Sequence, residues 1–473
     1  MEGKLFIQGK WQGGDTFDVT NPADGSKVGT AVDAGSKETA EAVKAASEAF
    51  TSWSQKTAEE RGKYLKKLQA LMLEHRDELG ELITKEMGKP LQEAKGEVEY
   101  AASFLEWFAE EGRRAYGDII PSNARSKRFM VFKQPVGVVG AITPWNFPQA
   151  MVTRKVAPAL AAGCTVVLKP AEDTPLSAVK FAELCEQAGL PAGVFNLVTG
   201  DAKGIGDELL NQEKVRKVTF TGSTAVGKHL MQGSAEHVKK ISLELGGHAP
   251  VIVLNDADLD LAVAETAASK FRNAGQTCVC ANRVYVQADV YEAFVEKFKE
   301  KAASMNVGDG MDTSNQLGPL INKEAYDKVD RHVKDAREQG AIVETGGEGF
   351  SKDGGWFYKP TVLSNVTHDM VMMEEETFGP VAPIQKVETV EEAVELANAS
   401  RYGLAAYFFT ENMKTGMHVA ENLAFGIVGW NDGRPSAAEA PFGGMKESGL
   451  DREGGREGLE AFLETKYVSL GVK

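Results

Sequence analysis

The chain has 473 residues, of which 42% are hydrophobic and 26% charged, with 49 glycines. That length asks for two or three hydrophobic cores, and that composition excludes disordered and collagen-like chains. With 68 Asp and Glu against 53 Lys and Arg, the formal net charge is -15, which argues against nucleic acid as the main partner because phosphate binding needs a basic footprint.

Met1 is followed by EGKLFIQGKW, with an early acidic residue and no long apolar run, so neither a signal peptide nor a transit peptide is expected. No stretch approaches ~20 uninterrupted apolar residues, so no membrane span is expected either. Four cysteines do not make a disulfide framework at this length, and a reducing cytoplasm is the simplest home. LFIQGKW and FDVTNP read as short strands joined by Gly-rich turns, a hairpin. Residues 36–117 carry apolar residues at helical spacing among charges, in three runs that each begin near Ser, Thr or Pro.

From about residue 134 the rhythm changes. PVGVVGAIT, CTVVLKP, VFNLVTG, VRKVTFTG and APVIVLN are short β-branched runs, and helical segments such as TPLSAVKFAELCEQAG lie between most of them. Strand-helix alternation predicts an α/β fold with a parallel, doubly wound sheet, which binds ligands at the carboxyl ends of its strands. A second α/β stretch follows over 257–440. The tail LEAFLETKYVSLGVK reads as a helix and then a strand, an edge that could pair with another subunit.

After VRKVTF comes TGSTAVGK. Gly222 and Gly227 keep the outer positions of G-x-G-x-x-G, but Thr224 replaces the middle glycine, and His229 stands where a P-loop has its Ser or Thr. A Gly turn at a helix N-terminus, with Ser223 able to donate, still suits an anionic group. Read alone, it is equally a structural turn. Cys278 and Cys280, in GQTCVCANR, are one residue apart, closer than a zinc pair allows, so no metal site is expected.

TPWNFP (143–148), LKPAEDTP (168–175), FTGSTAVG (220–227), LELGG (243–247), GQTCVCANR (275–283), EETFGPV (375–381) and PFGGMKESG (441–449) occur in this order. Together they resemble the NAD(P)-dependent aldehyde dehydrogenase superfamily over nearly the whole chain. The resemblance implies Cys278 as nucleophile, chemistry that suits a thiolate attacking an aldehyde carbon. It implies Asn146, with the Cys278 backbone N–H, as donors to the resulting oxyanion. Glu244 matches the general base that activates water against the thioester, and its apolar neighbours Leu243 and Leu245 favour a raised pKa. For the cofactor it implies Trp145, Lys169 and Glu172, Gly222 and Ser223 at the pyrophosphate, and Glu376 with Phe378 at the nicotinamide ribose. A carboxylate at Glu172 would repel a 2′-phosphate, so NAD is expected over NADP.

KFRNAGQTCVCANR is similar to the succinate-semialdehyde dehydrogenase branch in particular. There the distal carboxylate of the substrate meets two arginines and a serine, matched here by Arg154, Arg272 and Ser436, and Arg forks suit a carboxylate. Arg434 is a further cation that could touch substrate or decorate its loop. Cys280 has two readings, a regulatory disulfide with Cys278 or a packed bystander. Asp451 stands where the family commonly has glycine.

The expected reaction is oxidation of succinate semialdehyde to succinate with NAD. The alternatives are glutarate semialdehyde, a ketoglutarate semialdehyde or a neutral aliphatic aldehyde, because one methylene is worth only ~1–3 kcal/mol. A silent binding protein on the same scaffold is opposed by intact Cys278, Glu244 and Asn146, while a bare cysteine esterase would turn over esters without NAD-dependent oxidation. The implied division is a Rossmann-type cofactor domain (1–119 and 136–245), a catalytic domain (246–445) and an oligomerisation element (120–135 and 446–473), in a homodimer or homotetramer.

Overall fold

The computed structural model describes residues 1–472. Its first sheet has eight strands, in the spatial order Lys10–Gln12, Leu5–Ile7, Phe195–Leu197, Thr165–Lys169, Val138–Ile142, Val215–Thr221, Lys240–Glu244 and Gly449–Leu450. The five strands from Phe195–Leu197 to Lys240–Glu244 are parallel; the antiparallel hairpin of Leu5–Ile7 and Lys10–Gln12 closes one side, and Gly449–Leu450, also antiparallel, closes the other. Thr165–Lys169 is buried at every position, as expected where helices cover both faces of a parallel sheet.

From Val138–Ile142 the chain winds outward through Thr165–Lys169 and Phe195–Leu197. It then returns to lay Val215–Thr221 against the other side of Val138–Ile142. The winding direction reverses between those two strands, and such a reversal opens a crevice at the carboxyl ends. Thr143 to Asn146 leave one strand there, and Gly222 and Ser223 leave the other.

The second sheet runs Ile342–Thr345, Thr361–Ser364, Val381–Val387, Ala281–Gln287, Ala249–Val253, Ala405–Phe409, Ile427–Trp430, all parallel except the first pair. Here the residues facing the crevice come from the amino ends of the strands. Cys278 precedes Ala281–Gln287, and Glu376 and Phe378 precede Val381–Val387. The carboxyl edge of one sheet therefore faces the amino edge of the other, and the short link 245–248 joins them.

A third sheet pairs Leu463–Gly471 with Lys127–Pro135 over nine residues, with Asp118–Ile120 on the far side. The tail strand thus pairs within its own chain and keeps one edge open. Gly449–Leu450, inside the segment assigned above to the oligomerisation element, instead extends the first sheet.

Two local expectations change. The N-terminal hairpin lies within LFIQGKW, while Thr16–Thr20 pairs with Lys27–Val32. The region 36–117 holds four main helices rather than three: Ser36–Ser54, Ala58–Glu74, Arg76–Met87 and Leu91–Glu111. Thr57 and Glu60 form a capping box at the second, and the break at His75 falls inside a run of good helix formers.

Candidate active site

A cavity of about 780 Å³ fills the crevice, a volume suited to a small-molecule site. Trp145, Asn146, Gly222, Ser223, Cys278, Glu376 and Phe378 line it, so seven of the residues singled out in the sequence meet there. Lys169 and Glu172 stand at the end of the neighbouring strand, outside that wall, and Lys169 Nζ donates to Glu172 Oε1 at 2.6 Å. Arg154, Arg272, Ser436 and Glu244 are also outside it.

Ser223 N-caps the helix Thr224–Ser234, its hydroxyl accepting from Val226 N at 3.4 Å, so backbone N–H groups at that helix start open towards the cavity. Gly222 has a second reason to be glycine, since a Cβ there would lie 2.4 Å from the Phe220 ring. Opposite, Glu376 Oε1 accepts from Gly247 N at 3.1 Å, and its carboxyl is pushed up to about 7, chiefly by burial. Phe378 holds a left-handed φ of +51° and meets the Trp145 ring edge-on at 5.7 Å. A helix N-terminus facing a carboxylate across a groove with an aromatic wall fits a nicotinamide dinucleotide in polarity and shape.

Cys278 keeps part of its surface open to the cavity. Burial pushes its thiol up to about 12, against the opposing pull of Arg154, which favours the thiol over the thiolate and calls for a proton acceptor during attack. A Cβ on Gly247 would lie 2.2 Å from the Cys278 carbonyl oxygen, which explains the second glycine of LELGG. Asn146 Nδ2 donates to Gln276 O at 3.1 Å, which leaves its other N–H free. Cys280 is fully buried, with its thiol donating to Lys270 O at 3.5 Å, and all four cysteines are free.

Glu244 ends its strand in a buried pocket, and neither carboxylate oxygen has a hydrogen-bond partner among the described residues. Burial first, and then the neighbouring Glu453, raise its pKa well above the usual carboxylate range. Its Oε1 lies 2.6 Å from where a Gly443 Cβ would be, so the side chain points beside the cavity rather than into it.

Glu453 and Lys155 were not read from the sequence. Lys155 Nζ pairs with Glu453 Oε1 and donates to Thr221 Oγ1 at 2.6 Å, while Arg154 Nε lies 3.0 Å from Glu453 Oε2. Burial opposes the charge on Glu453, but Lys155 and Arg154 hold its carboxyl below the usual range. Glu453 sits two residues after Asp451 in SGLDREGG, and its partners Arg154 and Lys155 lie about 300 residues earlier in the chain. Tyr100 was also missed: its hydroxyl is buried without a partner among the described residues.

Arg154 is therefore an ion-paired, buried group whose Cζ lies 3.8 Å from the Phe442 ring centroid. Arg272 is half-buried with its Cζ 5.1 Å from the ring of Phe147, the residue after Asn146. Ser436 is half-buried in the loop after Ile427–Trp430. Arg434 pairs with Glu265 at 3.1 Å and is exposed, which favours its role in the loop. Asp451, at a left-handed φ of +68°, accepts from Ser242 Oγ at 2.6 Å and from the buried Lys217 at 3.4 Å.

Residues 10–468 match the aldehyde dehydrogenase family model. Succinate-semialdehyde dehydrogenase [NADP(+)] of Escherichia coli is 52% identical over 472 residues, 99% of this chain and 98% of that protein. Glutarate-semialdehyde dehydrogenase of Pseudomonas aeruginosa is 50% identical over 471 residues, 99% of this chain and 97% of that one. A crystal structure of an NADP-dependent enzyme of Escherichia coli superposes with a TM-score of 0.98 at 51% identity, covering 100% of this chain and 98% of that one.

The expectation of NAD over NADP is overturned by the first of these, a near full-length relative named for NADP(+). The physical flaw lies at Glu172. The expectation weighed the Glu172 carboxylate by itself, whereas Lys169 Nζ pairs with it at 2.6 Å and offsets part of its charge. With the family model spanning nearly its whole length, the chain belongs to the aldehyde dehydrogenase family and is an aldehyde-oxidising enzyme.

Proposed function

We propose that this enzyme oxidises succinate semialdehyde to succinate with NADP and water, through a covalent intermediate on Cys278. The observation that carries the reading is the meeting of a partly open thiol and an amide with a free N–H in one cavity, across from a helix N-terminus. Ser223, Glu376, Trp145 and Phe378 would hold the dinucleotide, with Lys169 and Glu172 at its adenosine end. When bound, the nicotinamide supplies a hydride acceptor.

The Cys278 sulfur attacks the aldehyde carbon as its proton passes to a water molecule in the cavity and on to solvent, giving a thiohemiacetal whose oxyanion Asn146 Nδ2–H and the Cys278 N–H stabilise. Loss of hydride leaves a thioester. Water, deprotonated by Glu244, attacks that carbonyl, and the thiolate leaves with succinate as product. No hydrogen bond from the described residues fixes the Glu244 carboxylate, and a side-chain rotation would bring it to the cavity. Arg272, placed on Phe147 beside Asn146, would meet the distal carboxylate, with Ser436 and the free edge of Arg154 alongside.

The relative named for glutarate semialdehyde makes the five-carbon acid the second reading. The test is initial rates with succinate semialdehyde, glutarate semialdehyde and butanal, each with NADP and with NAD. The four-carbon acid with NADP is expected to have the highest kcat/KM; equal rates with butanal would refute the anionic substrate.

The same reading divides the chain at the link after Glu244 into a cofactor part and a catalytic part. It assigns the third sheet to assembly of a homodimer or homotetramer, because Ile119, Phe132 and Tyr467 expose apolar surface there. No helix among the described residues is long and apolar enough to cross a membrane. Its four free cysteines suit a reducing cytoplasm.

A further inference from the structure

Three charged side chains near the start of the helix Leu91–Glu111 have no part in the chemistry above, yet they converge on it. Lys89 Nζ, fully buried, donates to Glu97 Oε2 at 2.5 Å and to the Asn146 carbonyl at 2.8 Å, and lies 3.7 Å from the Phe147 ring centroid. The other oxygen of Glu97 accepts from Gln149 N at 2.9 Å and Ala150 N at 3.2 Å, where the next helix begins. Glu93 Oε2 accepts from Asn273 N at 2.8 Å.

The ring closes through amides. Asn273 Nδ2 donates to Asn146 O at 3.2 Å and to Gln276 O at 3.1 Å, and Asn146 Nδ2 donates to the same Gln276 carbonyl at 3.1 Å. The backbone of Asn146 is therefore held by Lys89 and Asn273 together. One amide N–H is committed to Gln276, which fixes the direction of the other. Asn273 and Ala274 are both left-handed, at φ +52° and +53°, a conformation that persists only where the surroundings over-determine it. Glu93 takes up the first of those amides, three residues before Gln276 and five before Cys278.

We propose that Lys89 and Glu93 are positioning residues that lock Asn146 and the turn delivering Cys278 into one mutual geometry. Lys89 acts on the donor side and Glu93 on the nucleophile side, and neither touches substrate. The inference rests on the reading of Asn146 as oxyanion donor and Cys278 as nucleophile.

The test uses purified full-length Lys89→Met, Glu93→Ala, Glu93→Gln, Asn146→Ala and the double variant Lys89→Met/Asn146→Ala. Measurements are kcat, KM for the aldehyde, the cofactor dissociation constant and thermal melting. Lys89→Met and Glu93→Ala are expected to lower kcat by about 10²-fold, the usual effect of a small misplacement of reacting groups. KM and cofactor binding stay near wild type. Glu93→Gln keeps the acceptor and restores most of the rate. The double variant is no slower than Asn146→Ala, because a lost donor leaves nothing to position.

Wild-type kcat in both single variants, losses that multiply in the double variant, or a Glu93→Gln as slow as Glu93→Ala would each overturn the proposal while leaving the active-site reading intact. An Asn146→Ala enzyme as fast as wild type would instead sink that reading, and the role of Lys89 with it. Should Lys89→Met fail to fold, the Glu93 pair decides.

Discussion

Replacing Asn146 by alanine separates catalysis from structure unusually well at this site. The side chain makes one hydrogen bond, Nδ2 to Gln276 O at 3.1 Å, and that carbonyl keeps a second donor in Asn273 Nδ2 at 3.1 Å. The backbone of residue 146 stays held through its own carbonyl by Lys89. The structural loss is thus one hydrogen bond with no orphaned partner, about 1 kcal/mol. The catalytic loss is larger, since removing one preorganised oxyanion donor lowers kcat by about 10²–10³, or roughly 2.7–4 kcal/mol of transition-state stabilisation. Steady-state rates with succinate semialdehyde and NADP give the second quantity, and denaturant unfolding gives the first. The expected pattern is a large fall in kcat with little change in KM or stability. A kcat close to wild type, or a loss of stability as large as the loss of catalysis, would refute the assignment.

Glu244→Gln should allow the first NADPH to form as a burst and then stall, because the thioester forms but water is not activated. Since burial and Glu453 raise the pKa of Glu244 and the base must be ionised, the acid limb of the wild-type rate profile should lie above the ordinary carboxylate range. Glu453→Gln removes the neighbouring charge, so that limb should move to lower pH; a limb that stays put would contradict the coupling. Arg272→Ala should raise KM for the semialdehydes by about 10–100-fold, the worth of a hydrogen bond to a charged group at roughly 1.5–3 kcal/mol, and leave butanal unaffected. Asp451→Gly relieves the left-handed backbone but leaves buried Lys217 without its anion. Burial has already lowered Lys217 to about 8, below its unfolded value, so its protonated form opposes folding. The variant should lose stability at neutral pH, by less than the roughly 3 kcal/mol that breaking a fully buried pair costs, because Asp451 is half-exposed. That deficit should vanish as pH rises through and beyond the Lys217 pKa; urea melts at several pH values would read it, and a deficit that grows with pH would refute it.

What the sequence made legible was whatever is written locally. Buried strands such as TVVLK within CTVVLKP announce themselves as β-branched runs, and Cys278, Asn146 and Glu376 lie in short blocks that the fold carries into one cavity. The break at His75 was hidden because both sides of it are good helix formers, and only tertiary packing ends one helix and starts the next. Long-range pairing of buried charges was hidden as well. Lys155 and Glu453 are 298 residues apart in sequence, and Asn146 and Lys89 are 57 apart; no spacing rule links them. The Lys169–Glu172 pair shows the opposite failure. Three residues apart, the two are named together in the sequence, but the expected repulsion counts the Glu172 charge without Lys169, and a near full-length relative is named for NADP(+).

The most direct test of the account is mass spectrometry of the Glu244→Gln enzyme quenched in acid after mixing with succinate semialdehyde and NADP. The account predicts a succinyl thioester on the peptide containing Cys278, located on that residue and absent from Cys280, with one NADPH formed per acylated site. NADPH formed without any acyl group on Cys278, or an acyl group on another residue, would contradict it.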